Sequence, residues 1–216
     1  MGSDCRRLFG VEMKIIKLAP QRRVYPVDVN AGVKPEGGYL LGPEARSYLS
    51  AIVMSAKGDY IETGSAFGGS AIVAAQSLYG DSLVYCVDPM WGMHRKTADE
   101  QWDIFWKNVN RAGVADKIVL IRQSSNPWPE FLQERKFAVA LIDGDHSYAG
   151  CKADWLNLKD RVTDFIMFDN IEKPDSVETV WHEACRDKEW ELYYRGEHTL
   201  RRLSVETFEF GIVKRK

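Results

Sequence analysis

From about residue 59 onward, apolar positions come in two alternating kinds: short continuous runs, and longer segments in which they recur at helical spacing. Asp59-Tyr60-Ile61-Glu62 reads as a first strand ended by a glycine-rich turn. Ser70 to Leu78 reads as a helix of small and apolar residues, suited to close packing on a sheet. Leu83-Val84-Tyr85-Cys86-Val87 is a second strand, apolar throughout, as strands covered on both faces are. Thr97 and Glu100 have capping-box spacing, and the helix they open carries Trp102, Phe105, Trp106 and Val109 at helical spacing before stopping near Gly113. Ile118 to Ile121, Phe137 to Ile142 and Phe165 to Phe168 read as third, fourth and fifth strands. Cys151, Trp155 and Leu158 mark the core face of the helix between the last two. Asp175 to Glu178 repeats the capping-box spacing ahead of Val180, Trp181 and Ala184. Trp190 to Tyr194 and Phe208 to Val213 read as two late strands joined through a polar stretch, Gly196 to Arg202.

Repeated strand, crossover, strand units force a mostly parallel sheet with helices on both faces, a doubly wound α/β fold; the late pair brings it to seven strands. Residues 41–216 form this domain. Residues 1–40 are set off by Lys34-Pro35-Glu36-Gly37-Gly38, which breaks them from a helix starting near Pro43. Val24, Tyr25, Val27, Val29 and Tyr39 give them apolar surface that a disordered arm does not normally carry. A lid over the ligand crevice, or a contact within a homo-oligomer, is therefore expected there in preference to a free arm.

Composition narrows the field. With 29 Lys and Arg against 31 Asp and Glu, the charge balance gives no electrostatic reason to expect a nucleic-acid partner. Cys5, Cys86, Cys151 and Cys185 lie far apart and form no CxxC pair, so a disulfide framework is not expected and a reducing cytoplasm fits. No apolar run approaches a membrane span, and Met1 to Arg7 lacks the apolar stretch of a signal peptide. A soluble, intracellular protein is the expectation.

In open parallel sheets ligands bind beyond the carboxyl ends of the strands, and Glu62, Asp88, Ser124, Asp143 and Asp169 all fall there. The first motif is the turn Ile61 to Ser70, whose glycines let the backbone bend tightly and approach a ligand. Such turns occur in many α/β folds without a ligand. This one is not the dinucleotide G-x-G-x-x-G, and the acid Glu62 suits a cationic ligand better than a pyrophosphate. Asp88, ending the second strand, can accept hydrogen bonds from both hydroxyls of a ribose; an Asp-Pro turn is the plain alternative. Trp91 then packs on an adenine or belongs to the core. Asp143-Gly144-Asp145-His146-Ser147-Tyr148 and Phe168-Asp169-Asn170 bring oxygen donors to two adjacent strand ends, which suits a hard divalent cation such as Mg2+. The alternative is that Asp143 closes an Asp-Gly turn and Asp145 caps a helix.

Taken in order, Glu62-Thr63-Gly64 through Ser70, Val87-Asp88-Pro89, Asp143 to Tyr148 and Phe168-Asp169-Asn170 resemble the class I S-adenosylmethionine (SAM)-dependent O-methyltransferases. The nearest branch is the one with macrocin-type sugar O-methyltransferases and cephalosporin-hydroxylase-like proteins; Asp169-Asn170 is also similar to the catechol and caffeoyl-CoA O-methyltransferases. The likeness spans residues 40 to 215, most specifically at Asp143 to Tyr148 and least at the glycine turn. It implies SAM held by the turn carrying Gly64, Ser65, Gly68 and Ser70, with Asp88 on its ribose and Gln123-Ser124-Ser125 near its adenine. It also implies Mg2+ held by Asp143, Asp169 and Asn170, and methyl transfer to a hydroxyl of a small molecule or sugar. The sugar-modifying branch usually has two acids where this chain has Asp169-Asn170, which leaves the substrate class open. Asp145 is the first choice for the base that takes the hydroxyl proton and His146 the second, while His94, His182 and His198 read as structural or exposed. Two other functions suit the fold class: a nicotinamide-dependent oxidoreductase, against which the missing G-x-G-x-x-G speaks, and a SAM-fold binding module that methylates nothing.

Overall fold

The computed structural model describes the backbone of residues 35–37, 41–172, 174–201 and 205–216, and the side chains of these except residues 198–206. The lid or oligomer contact expected of residues 1–40 therefore lies, apart from residues 35–37, outside the described residues. The chain runs α1 (Pro43–Ser55), β1 (Tyr60–Thr63), α2 (Gly69–Ser77), β2 (Val84–Val87), α3 (Ala98–Arg111), β3 (Ile118–Ile121), β4 (Phe137–Ile142), α4 (Tyr148–Leu158), β5 (Val162–Asp169), α5 (Val177–Arg186), β6 (Trp190–Arg201) and β7 (Val205–Arg215). The seven strands form one sheet in the order β3-β2-β1-β4-β5-β7-β6. The first five are parallel, and β7 runs antiparallel to both β5 and β6.

Alternation along the strands sorts the core into two layers. Tyr60, Cys86, Val139, Leu141, Phe165 and Met167 face one side, where α1, α2 and α3 contribute Leu49, Ile52, Ile72 and Phe105. Ile61, Tyr85, Val87, Ala140, Ile142 and Phe168 face the other, against Cys151, Trp155 and Leu158 of α4 and Val180 and Trp181 of α5. Burying each large apolar side chain contributes about 1.5–3 kcal/mol, and both faces of the parallel strands are covered this way. Among the described residues no helix is long and apolar enough to cross a membrane, and Cys86, Cys151 and Cys185 are free thiols.

Three elements differ from the sequence pattern. The stripe of α3 is rotated: Gln101, Ile104, Phe105, Asn108 and Val109 are buried, while Trp102 and Trp106 are only half-buried against the core. Two polar residues thus replace two tryptophans on the inner face, because each satisfies backbone groups of the loops it meets. The Thr97–Glu100 capping box is present, but the one expected over Asp175 to Glu178 is not. Asp175 takes a left-handed φ of 58°, so the N-cap falls on Ser176, whose side chain makes no capping bond, and Glu178 sits one residue too early for the box. Finally, the stretch read as a linker, Gly196 to Arg202, is strand as far as Arg201. Its backbone pairs with β7 out to Arg201 opposite Val205, so hydrogen bonding to a neighbouring strand keeps it extended.

Gly211 of β7 lies directly beneath Trp181, and a Cβ there would overlap the indole ring. Because Trp181 is itself buried, Gly211→Ala is expected to cost about 1–3 kcal/mol by overpacking. A lowered urea midpoint at unchanged slope would show it; an unchanged midpoint would mean that the indole shifts without cost.

Candidate active site

The strand order reverses at β1, which has β2 on one side and β4 on the other. Crevices in open α/β sheets form at such a switch point, because the loops leaving the two neighbouring strands go to opposite faces. Here the strand ends stay joined by one more rung each. Gly64 N donates to Val87 O at 3.0 Å, Asp143 N to Thr63 O at 3.0 Å and Asp88 N to Ile121 O at 3.1 Å. The turns that follow line a cavity of about 900 Å3.

The glycine turn has little freedom. Gly64 and Gly68 both have φ of 83°, and a Cβ on Gly64 would run into the carbonyl of Asp143. Asp88 braces the turn from the side: its Oδ2 accepts Ser65 N at 2.8 Å and Ala66 N at 2.9 Å, and its Oδ1 accepts Met90 N at 2.7 Å. A carboxylate offers about four lone-pair sites, so Asp88, which lines the cavity, spends most of its capacity on the protein. Gln101 ties the turn to the next loop, donating to Ala66 O at 3.2 Å and accepting Gly92 N at 2.9 Å. Asn108 does the same further out, donating to Phe67 O at 2.9 Å and Glu36 O at 3.0 Å and accepting Glu36 N at 2.7 Å.

Of the residues singled out from the sequence, Gly64, Asp88, Trp91, Ser124, Asp143, Asp145, His146, Asp169 and Asn170 line this one cavity. Trp91 is 80% exposed on its rim, which rules out the core reading. Ser65 and Ser70 line a small adjoining recess instead. Gly68 lines neither; it packs against Phe105. Glu62 does not reach the cavity, a correction to its expected contact with the cofactor. It is wholly buried beneath the turn, where Oε2 accepts the Tyr60 hydroxyl at 3.0 Å and Oε1 has no hydrogen-bond partner. Burial pushes its carboxyl up to about 7, against the opposing influence of the nearby Ser65 and Ser70 hydroxyls. The reason is alternation: Glu62 belongs to the strand itself and follows Tyr60 into the core layer under α2. His94 is exposed, as expected, and also lines the cavity, on a loop where Met90, His94 and Arg95 all adopt positive φ.

In the turn after β4, His146 Nε2 stands 3.2 Å from Asp143 Oδ1. Asp145 Oδ1 accepts Ser147 N at 2.9 Å, and Ser147, not Asp145, caps α4 by accepting Gly150 N at 3.1 Å. Asn170 adopts φ of 56°, a left-handed conformation that asparagine tolerates better than most residues. Ser125, expected near the adenine, and Gly144 of the Asp143 to Tyr148 motif line the cavity too, whereas Met93, Gln101 and Phe208 line it and were not singled out. Only Gln101 left a trace in the sequence, as a polar residue one turn ahead of Phe105; Phe208 arrives from β7, which no local pattern connects to the site.

Fold and cavity together are those of an open α/β enzyme with its crevice at a switch point, lined by a braced glycine turn and by acidic residues. Residues 61–171 match the family model described as a methyltransferase domain. That span is just over half of the chain, and the chain belongs to this family of SAM-dependent methyltransferases, with the class I fold. Solved structures agree on the architecture. An O-methyltransferase from Bacillus cereus in complex with SAH is 17% identical, with 87% of each chain covered and a TM-score of 0.60. The O-methyltransferase TomG from Streptomyces achromogenes, involved in tomaymycin synthesis and in complex with SAM, is 14% identical, with 81% of this chain and 80% of that one covered and a TM-score of 0.60. Precorrin 8w decarboxylase from Methanobacterium thermoautotrophicum is 15% identical over 81% of this chain and 90% of that one, with a TM-score of 0.56. At such identities the likeness shows a fold and leaves the reaction to the site, as the decarboxylase illustrates. No curated protein matches the sequence.

Two outcomes follow from the buried carboxylates. Glu62 in the folded protein holds its proton up to about 7 against an ordinary value of 4.5. The folded state therefore binds more protons than the unfolded chain between these values, and stability falls as pH rises through that window, by on the order of 3 kcal/mol. Thermal melting from pH 4.5 to 8 should show the decline in the native protein and a flatter profile in Glu62→Gln; parallel profiles would remove Glu62 as the cause. Asp88→Ala strips three backbone amides of their acceptor and is expected to cost at least about 1.5–3 kcal/mol, the worth of one charge-assisted bond. Chemical denaturation measures this, and a loss below 0.5 kcal/mol, on the order of a neutral surface change, would mean that water replaces the carboxylate.

Proposed function

We propose that this chain is an O-methyltransferase that moves the methyl group of SAM to a hydroxyl of a small molecule, with a divalent ion such as Mg2+ serving the acceptor. The observation that carries the reading is one cavity lined together by Gly64, Asp88, Asp143, Asp145, His146, Asp169 and Asn170. Its volume, about 900 Å3, lies within the range of small-molecule sites, and a donor and a second small ligand fill such a space together.

In the reaction, the acceptor oxygen attacks the methyl carbon in line with the carbon–sulfur bond. That bond breaks with its electrons going to sulfur, so the sulfonium becomes the neutral thioether of SAH, and the hydroxyl proton passes to a base. Holding donor and acceptor in line is the larger part of such catalysis. Asp145, exposed in the cavity and steadied by the Ser147 amide, is the first candidate for the base. Asp143, Asp169 and Asn170 offer two carboxylates and an amide, an all-oxygen set that fits a hard cation. Among the described residues no three of His, Cys, Asp and Glu stand together to hold an ion, so Asn170 and the acceptor oxygen complete the proposed set. Bound there, the ion supplies Lewis acidity that lowers the pKa of the acceptor hydroxyl.

A second reading rests on the 3.2 Å contact between His146 Nε2 and Asp143 Oδ1. A carboxylate that orients an imidazole is the arrangement of a general base working without a metal. The two readings assign Asp143 to different partners, and one experiment separates them. Purified protein with isotope-labelled SAM is screened against hydroxylated sugars, phenols and natural-product scaffolds, and the active acceptor is then assayed with Mg2+ and with a chelator. Under the metal reading, chelation and Asp143→Asn each lower turnover by about 100-fold or more, SAH affinity by calorimetry is spared, and Mg2+ restores the chelated enzyme. Full activity in chelator, with His146→Ala inactive, establishes the metal-free base. A folded protein that binds neither SAM nor SAH rejects both.

A further inference from the structure

The buried stripe of α4 reads Cys151, Asp154, Trp155, Leu158, and Asp154 is a carboxylate where the spacing calls for an apolar side chain. It is wholly buried, neither of its oxygens has a hydrogen-bond partner, and Thr63 Oγ1 is likewise buried without one. The proposed chemistry makes no use of it. Its position is specific. A Cβ placed on Gly144 would stand 3.4 Å from Asp154 Oδ2, 3.5 Å from the Thr63 carbonyl carbon and 3.6 Å from Gly64 N. Asp154 Oδ2 therefore sits directly behind the place where the ends of β1 and β4 pass each other. Burial pushes its carboxyl up to about 6; the Ser125 and Thr63 hydroxyls oppose this and Asp145 adds to it. Those two hydroxyls belong to the loop after β3 and to the end of β1. Gly64, Ser125 and Gly144, one from each of the three segments, line the cavity in front of Asp154. A buried carboxylate is costly unless donors meet it, and the hydroxyls that act on this one belong to the segments that shape the site.

We propose that Asp154 is a positioning residue whose carboxylate, accepting hydrogen bonds from the Thr63 and Ser125 hydroxyls once these turn toward it, locks the ends of β1 and β4 and the loop after β3 together beneath the cavity. It touches neither donor nor acceptor; it sets the placement of Gly64, Gly144 and Ser125, which do line the cavity. The carboxylate works as a shared acceptor because it can accept from two segments at once, as no apolar side chain and no single donor can.

The test uses amide hydrogen exchange in the ligand-free full chain and calorimetric titration with SAH, both at pH 8, where a carboxyl pushed up to about 6 is ionised. Asp154→Ala is expected to speed exchange about tenfold or more at residues 63–65, 124–126 and 143–145 together, and to weaken SAH binding by about the same factor. Asp154→Asn keeps one acceptor oxygen in the same volume and is expected to stay within about threefold of the native protein on both readouts. Thr63→Val should loosen the same three segments, and combining it with Asp154→Ala should add less than the two effects multiplied together. Unchanged exchange in Asp154→Ala, or uniform loosening of the whole sheet that Asp154→Asn does not rescue, would reduce Asp154 to a core residue and overturn the proposal. If Asp154→Ala does not fold, Thr63→Val and Ser125→Ala carry the comparison: loosening of all three segments by either supports the lock, and loosening confined to the altered segment overturns it. The affinity readout rests on SAM being the donor, whereas the exchange readout needs no ligand and stands even if SAH does not bind.

Discussion

Strands β1 and β4 lie side by side and end at the same level, so two chains must leave the sheet through one small space. The backbone of Gly64 passes so close to the Asp143 carbonyl that no side chain fits between them. Every feature of the site hangs from that crossing. On one side it aims the glycine turn so that Ser65 and Ala66 point their amides at Asp88. On the other it fixes the start of the turn that carries Asp143, Asp145 and His146. A methyl group at Gly64 would push these two turns apart, and a glycine is the only residue that avoids both the overlap and the strain of a positive φ.

The carboxylates around the crossing divide into those that hold the site and those that face the ligand. Asp88 is met by three backbone amides and behaves as part of the framework while still showing an edge to the cavity. Glu62 and Asp154 lie deeper, where burial outweighs the hydroxyls near them and pushes both carboxyls upward. Asp143, Asp145 and Asp169 line the cavity itself. The gradation follows from donor supply: loop amides are available at the strand ends, but inside the sheet the backbone is already paired, and only side-chain hydroxyls remain.

A similar fold serves O-methyltransferases and a decarboxylase among the similar structures, so the scaffold does not dictate the reaction. In this chain the acidic residues that line the cavity are concentrated in the turn after β4 and the end of β5. The overhanging β6–β7 hairpin, which pairs with β5 only as far as Phe210, brings Phe208 to the cavity from the opposite end of the sequence.

Apolar patterning along the chain sufficed for the doubly wound sheet, the five parallel strands to within a few residues and the one crevice, because buried parallel strands are continuously apolar and their polar ends then stand out. Gly64, Asp88, Asp143, Asp145, His146, Asp169 and Asn170 were legible for that reason. Which polar residues turn inward was settled by packing between distant segments. Glu62 looked like a ligand contact and proved to be core, since strand alternation carried it under α2. Gln101 and Asn108 took the inner face of α3 from Trp102 and Trp106, because loop carbonyls and amides from distant parts of the chain awaited partners there. Asp154 is visible in the sequence as a polar residue in an apolar stripe, but its meaning lies in Thr63, Ser125 and Gly144, which come near it only when three strands end at one level. Hydrophobic period is a local property and can be read along the chain; hydrogen-bond demand is created by segments that meet only after folding.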